Sequence, residues 1–151
     1  MAKDDRIDVL LGEDNPDDAE FTLRALRKAD SALSVVRVDN GVKALDFLFG
    51  TGTFVQRATL DLPRVMLLDL KMPKVDGLEV LKLVKTDRRT RALPVVVLTS
   101  SREQRDIDNS YLLGANSYIV KPVDYGEFVA TVGECVQYWL QLNEPHAARI
   151  A

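Results

Sequence analysis

Five short segments rich in aliphatic and β-branched residues alternate with stretches of helical periodicity, and this alternation constrains the fold more than any other feature. They run from Ile7 to Leu11, Ser34 to Val38, Val65 to Asp69, Val95 to Thr99 and Ser117 to Val120. A run as apolar as Val65-Met66-Leu67-Leu68 predicts a strand buried on both faces. Parallel strands need crossover helices between them, so the pattern predicts an α/β domain with a parallel sheet.

The first helix is expected to open at "NPDD", with Asn15 as N-cap, Pro16 at the first helical position, and Asp17 and Asp18 complementing the positive end of the dipole. Ala19, Thr22, Leu23 and Leu26 give it an inward face. Further helices are predicted over about Gly41 to Phe49, Gly77 to Thr86, and Arg102 to Leu113, the last ending at Gly114. In the fifth, Tyr125, Phe128, Val129, Val132, Cys135, Val136, Trp139 and Leu142 follow three-and-four spacing, which leaves Tyr138 and Leu140 off the stripe. The link "GTGTFVQRATLDLPR", Gly50 to Arg64, exceeds the usual ~2–6 residues of a helix-to-strand connection. A tolerated surface insertion is the expectation, with a partner-binding loop as the alternative.

With 151 residues, 46% hydrophobic and 28% charged, the chain is expected to form one domain with a full core. A net charge of -3 without a basic block gives no footprint for direct nucleic-acid or anionic-membrane binding. No apolar run approaches the ~20 residues that span a bilayer, and the N-terminus lacks the order of a secretory signal, so a cytoplasmic location is expected. Cys135, the single cysteine, falls on an apolar stripe and reads as a small buried hydrophobe; His146, the single histidine, lies in the tail, which argues against His-based catalysis.

In open α/β sheets the ligand crevice forms outside the carboxyl ends of the strands. Here those ends carry Glu13-Asp14, Asp69, Thr99-Ser100 and Lys121-Pro122. Singly, each has an ordinary reading: Glu13-Asp14 as helix capping, Lys121 as a solvated charge. Together they form a cluster of carboxylates that repel unless a cation joins them, and Mg2+ with oxygen ligands suits such a site. Mg2+ held by Asp14 and Asp69, beside a threonine hydroxyl and a lysine ammonium, is a set of parts for phosphoryl transfer with Asp69 as nucleophile.

The pair Glu13-Asp14, the segment "DLKMPKVDG", "VVVLTS" with Thr99, and "SYIVKP" with Tyr118 and Lys121 resemble, in order and spacing, the CheY-like receiver domain of two-component response regulators. The resemblance covers about Ile7 to Leu142 and implies a flavodoxin-like, doubly wound sheet of five parallel strands with five helices. It divides the chain into a receiver domain, 1–142, and a C-terminal tail, 143–151. It also implies that Asp69 accepts a phosphoryl group from a phosphohistidine of a sensor histidine kinase. Asp14, Asp69 and the backbone carbonyl of Lys71 would ligate Mg2+, with Glu13 acting through water, and Lys121 would pair with the phosphate. The Lys121-Pro122 bond is expected to be cis. Thr99 would move to a phosphoryl oxygen and Tyr118 would turn inward, although an ordinary half-buried strand aromatic is the plain alternative for Tyr118.

Gly12 stands where the family more often has an aliphatic residue, and Ser100 where alanine is frequent. Lys71, two residues after the nucleophile, is expected to affect the lifetime of the phosphoaspartate. No effector domain is expected after the fifth helix, so output would pass through a protein partner or self-association. The long loop, "LDLPRVMLLDLKMPK" and the helix ending "YWLQL" resemble single-domain regulators paired with bacteriophytochromes, which are often dimeric. A homodimer through the face of helix 4, strand 5 and helix 5 is expected, with Tyr111, Leu112, Tyr138 and Leu140 as its apolar contacts. A conventional enzyme is not expected. Two rivals remain: an aspartate-nucleophile Mg-dependent phosphatase, disfavoured because Lys71 occupies the position of that family's second aspartate, and a receiver-shaped scaffold that is never phosphorylated.

Overall fold

The computed structural model describes residues 6–57 and 61–146. Five strands, β1 (Val9–Gly12), β2 (Val35–Val38), β3 (Val65–Leu68), β4 (Val95–Thr99) and β5 (Ser117–Val120), alternate with α1 (Pro16–Ala29), α2 (Gly41–Phe49), α3 (Gly77–Thr86), α4 (Gln104–Leu112) and α5 (Tyr125–Gln137). The strands form one parallel sheet in the order β2-β1-β3-β4-β5. This parallel α/β sheet is what the alternation predicts, and its strand order is the flavodoxin-like, CheY-type arrangement that the resemblance implies.

Every residue of β1, β3 and β4 is buried, because side chains alternate between two covered faces. Leu10, Met66 and Leu68 join Phe47, Leu48, Val80 and Leu81 on the side of α2 and α3. Val9, Leu11, Val65 and Leu67 join Leu26, Phe128 and Val132 on the side of α1 and α5. Helix α4 contributes only Ser110 to the fully buried set. It begins two residues later than its sequence pattern, since the Ser101 hydroxyl accepts from the Glu103 amide at 3.3 Å and holds the preceding turn open.

Two glycines allow close approaches near the strand ends. A Cβ at Gly77 would lie 2.3 Å from the Asp69 carbonyl oxygen, so only glycine lets α3 start directly against the end of β3. At Gly12 the space of an aliphatic side chain is filled by Leu68 and Met72, whose Cδ1 and Sδ would stand 3.2 Å and 3.5 Å from an added Cβ.

The long link is anchored rather than loose along its described part. Phe54, in a 3-10 turn at Gly52–Phe54, meets Phe47 edge to face at 5.1 Å, and the Arg57 guanidinium lies 4.1 Å over the Phe47 ring while Nε donates to the Phe47 carbonyl at 2.7 Å. Leu62 and Pro63 are buried where the link enters β3. Residues 58–60, like the tail 147–151, lie outside the described residues.

The end of the fifth helix departs from its predicted phase. Tyr138–Leu142 winds as a π-helix, with the Asn143 amide donating to the Tyr138 carbonyl at 2.7 Å, five residues back. Each residue in such a turn advances through a smaller angle than in an α-helix. The inward line therefore runs Phe128, Val132, Val136, Leu140, leaving Leu140 9% exposed and Leu142 71% exposed. Leu140, expected off the stripe and at a dimer contact, belongs to the core, and Leu142 does not. Tyr125, also expected on the stripe, is 48% exposed. Leu140→Ala is expected to lower stability by ~2–4 kcal/mol in urea unfolding, and Leu142→Ala by less than ~0.5 kcal/mol. The reverse order, with Leu142→Ala the costlier change, would indicate ordinary α-helical continuation.

Candidate functional site

The loops after β1, β3, β4 and β5 meet at one edge of the sheet, and backbone hydrogen bonds extend the ladder into them. The Glu13 amide donates to the Val38 carbonyl at 3.0 Å, Asp69 to Gly12 at 2.9 Å, and Lys121 to Thr99 at 2.8 Å. The candidate groups thus sit on backbone still tied to the sheet. Arg37 of β2 adds a brace that sequence reasoning missed: its guanidinium donates to the carbonyls of Glu13 at 3.0 Å and Asp14 at 3.3 Å.

Lys121 is the hub. Its ammonium donates to Asp69 at 2.9 Å, to Asp18 at 2.9 Å, and to Glu13 in a very short contact. Glu13, Asp69 and Lys121 are buried, whereas Asp14 is exposed. Asp18 is the second missed residue, read from sequence only as a dipole partner. Its position follows from the N-cap: Asn15 Oδ1 accepts from the Asp18 amide at 3.0 Å, fixing the first turn of α1 over the crevice.

The electrostatics divide the acids. Burial, the neighbouring Asp69 and only partial relief from Lys121 push the Glu13 carboxyl up from 4.5 to about 9. Burial alone would raise Asp69 too, but hydrogen bonds with Glu13, Lys121 and the Lys71 amide bring it below the ordinary value. Burial would lower Lys121, yet Glu13, Asp18 and Asp69 hold its ammonium above its usual range.

The donor set fits a divalent cation. Carboxylate oxygens of Glu13, Asp14 and Asp69 all lie within 4.8 Å of one another. Among the described residues, buried Glu13 Oε2 accepts no hydrogen bond. An all-oxygen cluster with an orphaned buried acceptor suits a hard ion that keeps some of its water. Lys71 is exposed, and its amide donates to Asp69 Oδ1 at 3.2 Å.

Thr99 is buried at the end of β4, where it pairs with Val120 and its carbonyl accepts from the Lys121 amide. Tyr118 is half-buried, and its hydroxyl donates to the Ser101 carbonyl at 2.9 Å. Ser101, absent from the sequence reading, lies between them in the chain: its amide approaches Thr99 Oγ1 at 3.5 Å and its hydroxyl donates to Asp106 at 2.5 Å. The Lys121-Pro122 bond is trans, against the cis expectation. An X–Pro bond prefers trans by only ~0.5–1 kcal/mol, so the dipeptide alone does not decide the isomer.

Residues 9–133 match the family model described as the response regulator receiver domain. Among curated proteins, the chain is 39% identical over 143 residues to the probable methanogenesis regulatory protein FilR2 of Methanothrix harundinacea (strain 6Ac), covering 95% of this chain and 90% of that one. Among solved structures, it is similar to the phosphorylated cyanobacterial phytochrome response regulator RcpA, with a TM-score of 0.86, 33% identity, and 93% and 98% of the two chains covered. It is also similar to the bacteriophytochrome response regulator AtBRR, with a TM-score of 0.73, 48% identity, and 93% and 100% covered.

Because the proton of Glu13 is held more tightly in the folded than in the unfolded chain, its stabilisation is complete below about 4.5 and is lost as pH rises through about 9. In chelator, urea titrations are expected to show a component of stability that declines over this window, and Glu13→Gln is expected to remove it. Parallel pH profiles for the two proteins would contradict the assignment.

Proposed function

Since this chain belongs to the response regulator receiver domain family and is thus the receiver of a two-component signalling system, we propose that Asp69 is its phosphoryl acceptor. The observation that carries this reading is the Lys121 ammonium at 2.9 Å from Asp69, beside a carboxylate triad fit for a cation. In the transfer, an Asp69 carboxylate oxygen attacks phosphorus and the P–N bond of a kinase phosphohistidine breaks. Its electron pair goes to the imidazole nitrogen. Lys121 balances charge on the phosphoryl oxygens, and the buried Thr99 hydroxyl supplies a further donor.

Mg2+ would be held by Asp14, Asp69 and the Lys71 carbonyl, with Glu13 through water, and would supply charge neutralisation of the phosphoryl oxygens when bound. Loss of the Glu13 proton would accompany its binding. We read 1–142 as the receiver unit and 143–151 as its tail. Lys71, where a haloacid-dehalogenase-like phosphatase carries its second aspartate, supports a phosphoryl store rather than a turnover catalyst. Similarity to RcpA and AtBRR supports a phytochrome-type histidine kinase as partner. No helix of the described residues is long and apolar enough to cross a membrane, in keeping with a cytoplasmic setting.

The Ser101 carbonyl supports Tyr118 as the reporter of this chemistry. Movement of Thr99 toward the phosphoryl group would disturb the Ser101 turn on which the Tyr118 hydroxyl rests, and so alter the face of α4, β5 and α5. Phosphotransfer from a phosphorylated histidine kinase is expected to label the native protein with Mg2+, and to be lost with chelator or in Asp69→Asn. In the same assay Lys71→Asn is expected to change the half-life of the label severalfold; label persisting in Asp69→Asn would refute the acceptor.

Self-association through that face is the proposed output. Tyr111, Leu112, Tyr138 and Leu142 are its exposed apolar residues, Leu142 taking the place expected for Leu140. Sedimentation with and without a phosphate mimic is expected to show a dimer weakened by Leu112→Glu. A monomer at high concentration in both states would remove the dimer.

A further inference from the structure

An ammonium has three N–H bonds, and all three of Lys121 end on carboxylates. Two of these acids, Glu13 and Asp69, are buried and belong with Asp14 to the cation cluster. The third, Asp18, does not. It projects from the first turn of α1 with 34% of its side chain exposed.

A phosphoryl group on Asp69 would bring new anionic oxygens to an ammonium that has no N–H left to give. One existing bond must be surrendered. Releasing Glu13 would strand a buried acid, and releasing Asp69 would strand the buried carbonyl of its acyl phosphate, which is expensive, whereas water can solvate a released Asp18. The Asp18 carboxylate also adds negative charge where an anionic donor must enter, so it opposes phosphorylation twice, by occupying Lys121 and by repulsion.

We propose that Asp18 is a positioning residue that holds Lys121 in reserve in the unphosphorylated state and yields it to the phosphoryl oxygen on modification. This rests on Asp69 being the acceptor. Strength of the Asp18 contact then sets how readily the site fills. The exchange also changes the charge on a groove walled by Asp18, Phe21, Lys121, Val123 and Tyr125, where Phe21 and Tyr125 meet edge to face at 5.3 Å.

The test is titration of beryllofluoride, a mimic of the aspartyl phosphoryl group, at saturating Mg2+ into the native protein, Asp18→Asn and Asp18→Glu, with Mg2+ affinity measured separately. Removing one partly exposed, charge-assisted contact is expected to tighten mimic binding about three- to tenfold in Asp18→Asn. Mg2+ affinity should not rise, and Asp18→Glu should return toward the native value. A purely structural role would not raise mimic affinity selectively or be rescued by the longer acid. Equal or weaker mimic binding by folded Asp18→Asn overturns the proposal. If the folded native protein binds Mg2+ but no mimic, the failure lies instead with Asp69 as acceptor.

Discussion

The site depends on one shared cation. Lys121 draws Glu13 and Asp69 together at the carboxyl ends of three different strands, and Asp18 closes the arrangement from α1. Buried carboxylates at such separations repel, and the ammonium lying among them offsets that repulsion. That sharing leaves the site short of positive charge. The same deficit makes it receptive to a divalent ion and, through that ion, to a phosphoryl group.

The sheet makes this concentration of charge tolerable. Its central strands are buried on both sides, and their register fixes where each chain leaves the ladder: Gly12 opposite Leu68, Leu68 opposite Val97, Thr99 opposite Val120. Glu13, Asp69 and Lys121 each follow one of these last paired positions, so the carboxylates and the ammonium are delivered side by side. Gly77 lets α3 begin against the Asp69 carbonyl, and the Arg37 brace fixes the acidic pair. Placement of the charged groups is thus a property of the backbone and its core.

What could be read beforehand was what local chemistry dictates. The apolar runs located β3 through β5 to within a residue, and Asn15-Pro16 located the start of α1, whose cap accepts from Asp17 and Asp18 as the pattern requires. Clustering of Glu13, Asp14, Asp69 and Lys121 followed from strand ends sharing one edge. What escaped was contact between elements distant in sequence. Asp18 and Lys121 are 103 residues apart, and only the folded α1 brings them within reach. Ser101 and Arg37 act through backbone carbonyls, which carry no signature in side-chain identity. The anchoring of the loop before β3, through Phe54 and Arg57 on Phe47, has no fixed period and so no sequence signature.

The wide turn at Tyr138–Leu142 has a consequence for chain length. A π-turn is geometrically an α-helix that has absorbed one additional residue. Remove a residue between Val136 and Leu140, and a regular helix would still carry that leucine inward and the last one outward. The fifth helix can therefore lose a single position at this point while its buried and solvent-facing sides keep their identities.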